Sequence, residues 1–207
     1  MLTLFWAKGT CALASHIALE QVGAEYKAER LDFSKTQQRS PEYLKINPKG
    51  RVPALITDQG ILTETPAILL YVAQLFPKAN LAPLNDPFAL AQINAFNSYL
   101  CSTVHVAHAH KHRGRRWADD PQALEEMTRK VPQTVGDCFE LIEQEMFRGP
   151  WVMGERYSIC DPYLFTLAGW LESDKVDINR FPKVADHRKR MSDIPAVAKV
   201  LKVHAAG

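Results

Sequence analysis

Cys11 is the residue best placed to do chemistry. It follows an apolar run, Leu2–Trp6, and stands at the start of a helix-forming segment, residues 12–22. Free amides at a helix start favour a thiolate, so this position predicts a thiol pKa below the ordinary value. Lys8, a short way upstream, adds a positive charge of the same sense. Ala12, Leu13 and Ala14 follow, so no second cysteine completes a two-thiol redox motif. A single thiol here can attack a disulfide, or hold another thiol as a mixed disulfide. Position alone supports equally well an inert residue packed behind the strand.

A second constellation is Ile46-Asn47-Pro48-Lys49-Gly50-Arg51-Val52-Pro53, followed after a short hairpin by Thr63-Glu64-Thr65-Pro66. A residue before proline is driven towards an extended conformation. With a cis bond to Pro53, Val52 would turn its amide and carbonyl outward and pair with a peptide as one more strand. Thr65 reads as an N-cap and Pro66 as the first helical residue, where a missing N–H costs nothing. Such a helix end offers amides and a positive dipole to a carboxylate. A peptide clamp beside a carboxylate cradle suggests a small acidic peptide as ligand.

His105, His108 and His112 recur at i, i+3 and i+7, with His110 on another face. The i, i+4 pair His108 and His112 has a spacing that could hold a transition metal. A solvated, His-rich helix end is the simpler reading, since Cys101 is the one further ligand nearby in sequence. Arg113, Arg115 and Arg116 continue the basic patch, which could attract anions or touch a partner subunit. A run of this kind is more often a solvated face.

These residues need elements to hold them. The chain has 207 residues, enough for one large or two small domains and for a core without disulfides or metals. A formal net charge of +2 gives no bulk drive towards nucleic acid or a membrane surface. No apolar stretch approaches the ~20 residues that span a bilayer. The opening residues lack a basic flank and read as a strand rather than a signal peptide. The four cysteines are scattered without paired spacing, so they are expected to be reduced and the chain cytoplasmic.

Residues 1–77 alternate strand and helix. Strands are expected at Leu2–Trp6 and 26–31, and a hairpin from 53–57 to 61–63 about Asp58-Gln59-Gly60. Helices are expected at 12–22, ended by Gly23, and at 66–76. Pro77, Pro83 and Pro87 mark a linker over 78–87. Residues 88–207 read as helical. Phe88, Ile93, Phe96, Leu100 and Val104 recur at helical spacing, as do Val131, Val135, Phe139, Ile142 and Met146. Pro132 lies inside the second series, so that helix is expected to start or kink there. Ser158-Ile159-Cys160-Asp161 is a capping signature before the apolar run 163–170, which predicts a central, buried helix.

Taken together, Leu4-Phe5-Trp6-Ala7-Lys8-Gly9-Thr10-Cys11-Ala12-Leu13, Asn47-Pro48-Lys49-Gly50 with Val52-Pro53, and Thr63-Glu64-Thr65 resemble the cysteine-containing bacterial (beta-type) glutathione S-transferases. The resemblance continues through Ser158-Ile159-Cys160-Asp161 and Met191-Ser192-Asp193-Ile194-Pro195-Ala196-Val197. It implies an α/β thioredoxin-like N-terminal domain followed by an all-α helical bundle. It makes Cys11 the active-site cysteine and sets His105 facing it across a cleft. A histidine there could donate to a thiolate or protonate a leaving thiol, given a pKa near neutrality. By itself, His105 would read as a surface histidine. The resemblance further implies glutathione as co-substrate, with no metal. Lys35 would meet its glycine end, Val52 its cysteinyl backbone, and Glu64 and Thr65 its γ-glutamyl end.

Ala7-Lys8, Ala14-Ser15, Thr103 and Val106 depart from the family pattern, and Thr103 lacks a carboxylate expected to grip the γ-glutamyl amine. The implied activity is a homodimeric glutathione transferase acting on small apolar electrophiles or disulfides, with exchange through Cys11 favoured. Phe5, Trp117 and Tyr163 would wall the second-substrate site. Two further readings share the fold: a non-catalytic interaction or stress protein, and a glutathione-dependent dehalogenase or isomerase.

Overall fold

The computed structural model describes residues 1–206. Strand β1 (Leu2–Trp6) buries Leu4 and Trp6 on one alternation, and helix α1 (Ala12–Gln21) returns the chain to β2 (Tyr26–Arg30), parallel to β1. Gly23 follows α1 at φ +65°, a left-handed value that suits glycine. Two short turns lead to α2 (Pro41–Ile46), whose start is capped by Ser40 accepting from the Tyr43 amide. Strands β3 (Ala54–Ile56) and β4 (Ile61–Thr63) form the expected hairpin, pairing Ala54 with Thr63. The sheet order is β2-β1-β3-β4, mixed because β3 runs antiparallel to β1. Helix α3 (Thr65–Leu75) closes this thioredoxin-like half.

The start of α3 departs from expectation. Glu64, not Thr65, occupies the N-cap, at φ 71° and ψ 123°, and no side chain caps the helix. Thr65 is the first helical residue, which frees its hydroxyl from capping and turns it to the site described below.

The remaining chain is helical: α4 (Pro87–Tyr99), α5 (His105–Arg113), α6 (Pro121–Leu141), α7 (Cys160–Ala168), α8 (Pro182–Ser192) and α9 (Pro195–Ala206). A π-helical turn, Leu100–Val104, joins α4 to α5 without a break. Ile93, Phe96, Leu100 and Val104 are buried, whereas Phe88, in the first turn of α4, is 75 % exposed. Helix α6 neither starts nor ends at Pro132. It begins at Pro121, where Asp120 accepts from the Gln122 and Ala123 amides, and it carries Pro132 in its interior. The buried stripe Val131, Val135 and Phe139 holds it as one element.

Every residue of α7 is buried, as its apolar composition predicts. Asp161 reaches back to the Ser158 amide at 2.6 Å, the acidic half of the capping signature. It also accepts from the Val152 amide at 2.9 Å and from His187 Nε2 at 3.1 Å, tying three segments to one buried carboxylate. Helix α1 packs against α3, α7 and α9, so the sheet half and the helical half share a continuous core from Leu4 and Ile68 to Tyr163 and Phe181.

Candidate active site

A cavity of about 620 Å³ opens where the two halves meet. Cys11, Val52, Glu64 and Thr65 line it from the sheet side, and His105, Trp117, Tyr163 and Trp170 from the helical side. The Val52–Pro53 bond is cis. The loop before it is braced through the Arg51 carbonyl, which accepts from Tyr43 Oη at 2.6 Å and Asn47 Nδ2 at 2.7 Å. Gly50 is obligatory here. Its φ is +59°, and a Cβ would come within 2.7 Å of Arg39 Nη1 and 2.8 Å of the Gln38 carbonyl.

Cys11 stands at the N-cap of α1 as expected, but its thiol is not acidic. Burial pushes it up to about 11, outweighing the Thr65 hydroxyl and its own backbone amide, which pull it down. The charges of Glu64 and Cys101 add to the rise. Consistent with a protonated sulfur, Sγ donates to the Val52 carbonyl at 3.6 Å. Lys8 Nζ donates to the Ala205 carbonyl on α9, at 3.2 Å.

His105 lines the same cavity, with its ring edge-on to Trp170 at 5.1 Å. Burial, reinforced by His108, Arg116 and Arg51, pushes it down to about 4. It is therefore neutral near pH 7, contrary to the near-neutral pKa anticipated for it. Among the described residues no hydrogen bond joins it to Cys11.

The other anticipated residues divide. Glu64 lines the cavity while pairing with Lys49 at 2.5 Å. Lys35 is exposed, lies 3.9 Å from Asp32 and does not line the cavity, where Arg39 and Arg51 stand instead. Trp117 and Tyr163 face the cavity; Phe5 does not, and packs on Tyr43 with ring centroids 5.5 Å apart.

His108 is not turned to a metal cluster. It is stacked on Trp170 at 4.3 Å, with Nδ1 2.6 Å from the buried Asp174 carboxylate. His110 stacks on Trp117. Among the described residues no group of three His, Cys, Asp or Glu side chains is placed to hold a metal. Asp174, Trp170 and Tyr43 were not singled out as site residues from the sequence, and Asn47 was read only as part of the Asn47-Pro48-Lys49-Gly50 motif. Asp174 reaches His108 across 66 residues, a distance at which spacing carries no signal.

Residues 1–74 match the glutathione S-transferase N-terminal domain family. Glutathione S-transferase GstA of Escherichia coli O157:H7 is 31% identical over 96% of this chain and 96% of its own. A glutathione transferase homologue from Sulfitobacter, solved with bound glutathione, is 46% identical and superposes with a TM-score of 0.95 over 98% of both chains. The beta-class enzyme of Sphingomonas chungbukensis is 30% identical, with a TM-score of 0.86 over 99% of this chain and 100% of its own. With the thiol, the cis-proline loop and the start of α3 meeting at one cavity, and full-length similarity on both sequence and structure, this chain belongs to the glutathione S-transferase family.

Proposed function

We propose that the protein is a beta-type glutathione transferase whose main reaction moves the glutathione sulfur onto a small electrophile. The observation that carries this is the convergence of Cys11, Val52 and the start of α3 on one cavity walled by the helical half. Val52 supplies backbone groups to the cysteinyl part of glutathione, and the start of α3, with Thr65 and Glu64, receives the γ-glutamyl end. The glycyl carboxylate meets Arg39, with Lys35 on the same loop. His105, neutral in this site, acts as a hydrogen-bond partner to the reacting sulfur rather than as a cation.

Exchange through Cys11 is held back at neutral pH by its buried, protonated thiol. A thiol at about 11 is roughly one part in 10⁴ ionised at pH 7. We further propose a cytoplasmic homodimer in which all four cysteines stay reduced, consistent with their free state. Its assembly is read by light scattering on the eluting protein.

The test is intact mass after incubation with oxidised glutathione, for the native protein and Cys11→Ala, with conjugation of glutathione to a chlorodinitrobenzene followed in parallel. A single adduct confined to the native protein, forming faster at pH 9 than at pH 7, together with conjugation, is the expected result. No adduct, no conjugation and no retention on immobilised glutathione would instead support the interaction-protein reading.

A further inference from the structure

We infer that the second-substrate part of this cavity is an anion site, taking a planar electrophile that carries a carboxylate or sulfonate. This rests on the transferase reading above. Arg39, Arg51, Arg113 and Arg116 all line the cavity. They come from separate places in the chain: the turn before α2, the loop before Val52, the end of α5 and the turn after it. Glu64 is the one carboxylate lining the cavity among the described residues, and Lys49 already neutralises it. Asp120 lies close in sequence but is spent on capping α6, and neither it nor Asp119 lines the cavity.

None of the four guanidinium groups forms an ion pair among the described residues; Arg39 makes one contact, 3.4 Å to the Lys49 carbonyl. Their mutual repulsion is felt locally. Burial depresses the pKa of Arg116 most, and Arg51, Arg113 and Arg39 push it further in the same direction. A concave wall of one sign focuses potential on an approaching ligand of the other. Guanidinium, with its planar fork of donors, suits carboxylate and sulfonate oxygens.

Glutathione does not account for all of this charge. Its two carboxylates are partly offset by its own ammonium, and one of them goes to the start of α3. Arg113 and Arg116 remain on the helical side, beside two flat apolar surfaces. Trp117, 46% exposed, is held by stacking on His110 at 4.4 Å, and Trp170 by stacking on His108. A planar ring placed against these indoles would bring a ring-borne anion to Arg113 and Arg116, with the electrophilic carbon directed to the glutathione sulfur.

The experiment compares two unreactive probes of nearly equal shape, 3-nitrobenzoate and 3-nitrobenzamide, on the glutathione-loaded protein. Quenching of tryptophan fluorescence reads their affinities. The carboxylate should bind at least about tenfold more tightly than the amide. That ratio should shrink as salt is raised, and fall towards unity in R113Q/R116Q. Equal affinities in the native protein, or a preference that survives both the salt and the double substitution, would overturn the inference. The salt series needs no variant, so a poorly folded double mutant does not blunt the test. Calorimetric titration with glutathione alone is run beside it: absence of glutathione binding sinks the transferase reading, whereas loss of the carboxylate preference with glutathione bound sinks only the anion site.

Discussion

Desolvation and hydrogen bonding pull the Cys11 thiol in opposite directions, and desolvation prevails, leaving the thiol at about 11. Its alkylation should therefore accelerate about tenfold per pH unit between pH 7 and 10, because thiolate fraction limits the rate. Thr65→Val removes a hydroxyl that favours the charged form, and should slow the reaction by a further three- to tenfold, roughly one neutral hydrogen bond. Thr65→Ser should restore it. Mass-resolved iodoacetamide labelling at Cys11 reads all three; a rate already flat by pH 8 would mean that the buried environment does not control this thiol. The place of Cys11 at a helix start was legible from the strand, the helix and the absence of a second cysteine. The sign of its pKa shift was not. Val52, Thr65 and Tyr163, which close over it, arrive from distant parts of the chain, and a local helix-end rule cannot count them.

Elements with a strong local signature were legible, and those decided by docking were less so. The acidic half of the capping signature before α7 holds, with Asp161 accepting from the Ser158 amide, while the Ser158 hydroxyl accepts from the Cys160 amide rather than that of Asp161. Pro132 does not mark the start of α6, which runs through it from Pro121 with Val131, Val135 and Phe139 buried. The docking of α9 left no sequence signal at all. His204 on α9 stacks on Trp6 at 4.0 Å and shares a 3.0 Å contact with His16 on α1, and burial pushes both histidines down to about 4.

Tyr26, Glu20 and Lys199 face the same cluster, with Lys199 2.5 Å from Glu20 and Tyr26 donating to Glu20 at 2.9 Å. In the unfolded chain these imidazoles titrate near 6.5, so between about pH 6.5 and 4 the unfolded state holds more protons and stability falls as pH falls. Each histidine should contribute ~2 kcal/mol of loss by pH 5. His105, also pushed to about 4, adds in the same sense. His204→Phe should keep the stack on Trp6 and reduce the acid-side loss by roughly a third. Urea unfolding at pH 7 and pH 5 measures it, and an unaltered pH dependence would mean that His204 titrates normally.

At the scale of the whole molecule, the two-part architecture was legible from the change of periodicity after Pro77, and the resemblance named Cys11, Val52, His105 and Tyr163, which line the cavity from both halves; its arginine wall was not legible. Arg113 and Arg116 looked like a solvated run; only folding sets them opposite Arg39 and Arg51. The same meeting of halves has a thermodynamic consequence. Ile17 on α1 is fully buried in a cluster with Phe165 of α7, Met191 of α8, and Val197 and Val200 of α9. Ile17→Ala therefore opens a cavity between the halves rather than within one, at a cost of about 2–5 kcal/mol. If the shared core makes folding one cooperative event, the whole unfolding curve moves to lower urea with its slope kept. Circular dichroism and the exposure of Cys11 to alkylation should then report the same midpoint. If the halves are separable, the substitution undocks them first: Cys11 becomes reactive at a urea concentration where helix content is still native. Coincident midpoints would mean that the cavity exists only in the fully folded chain, so that any stabilising ligand bridging it raises the stability of both halves together.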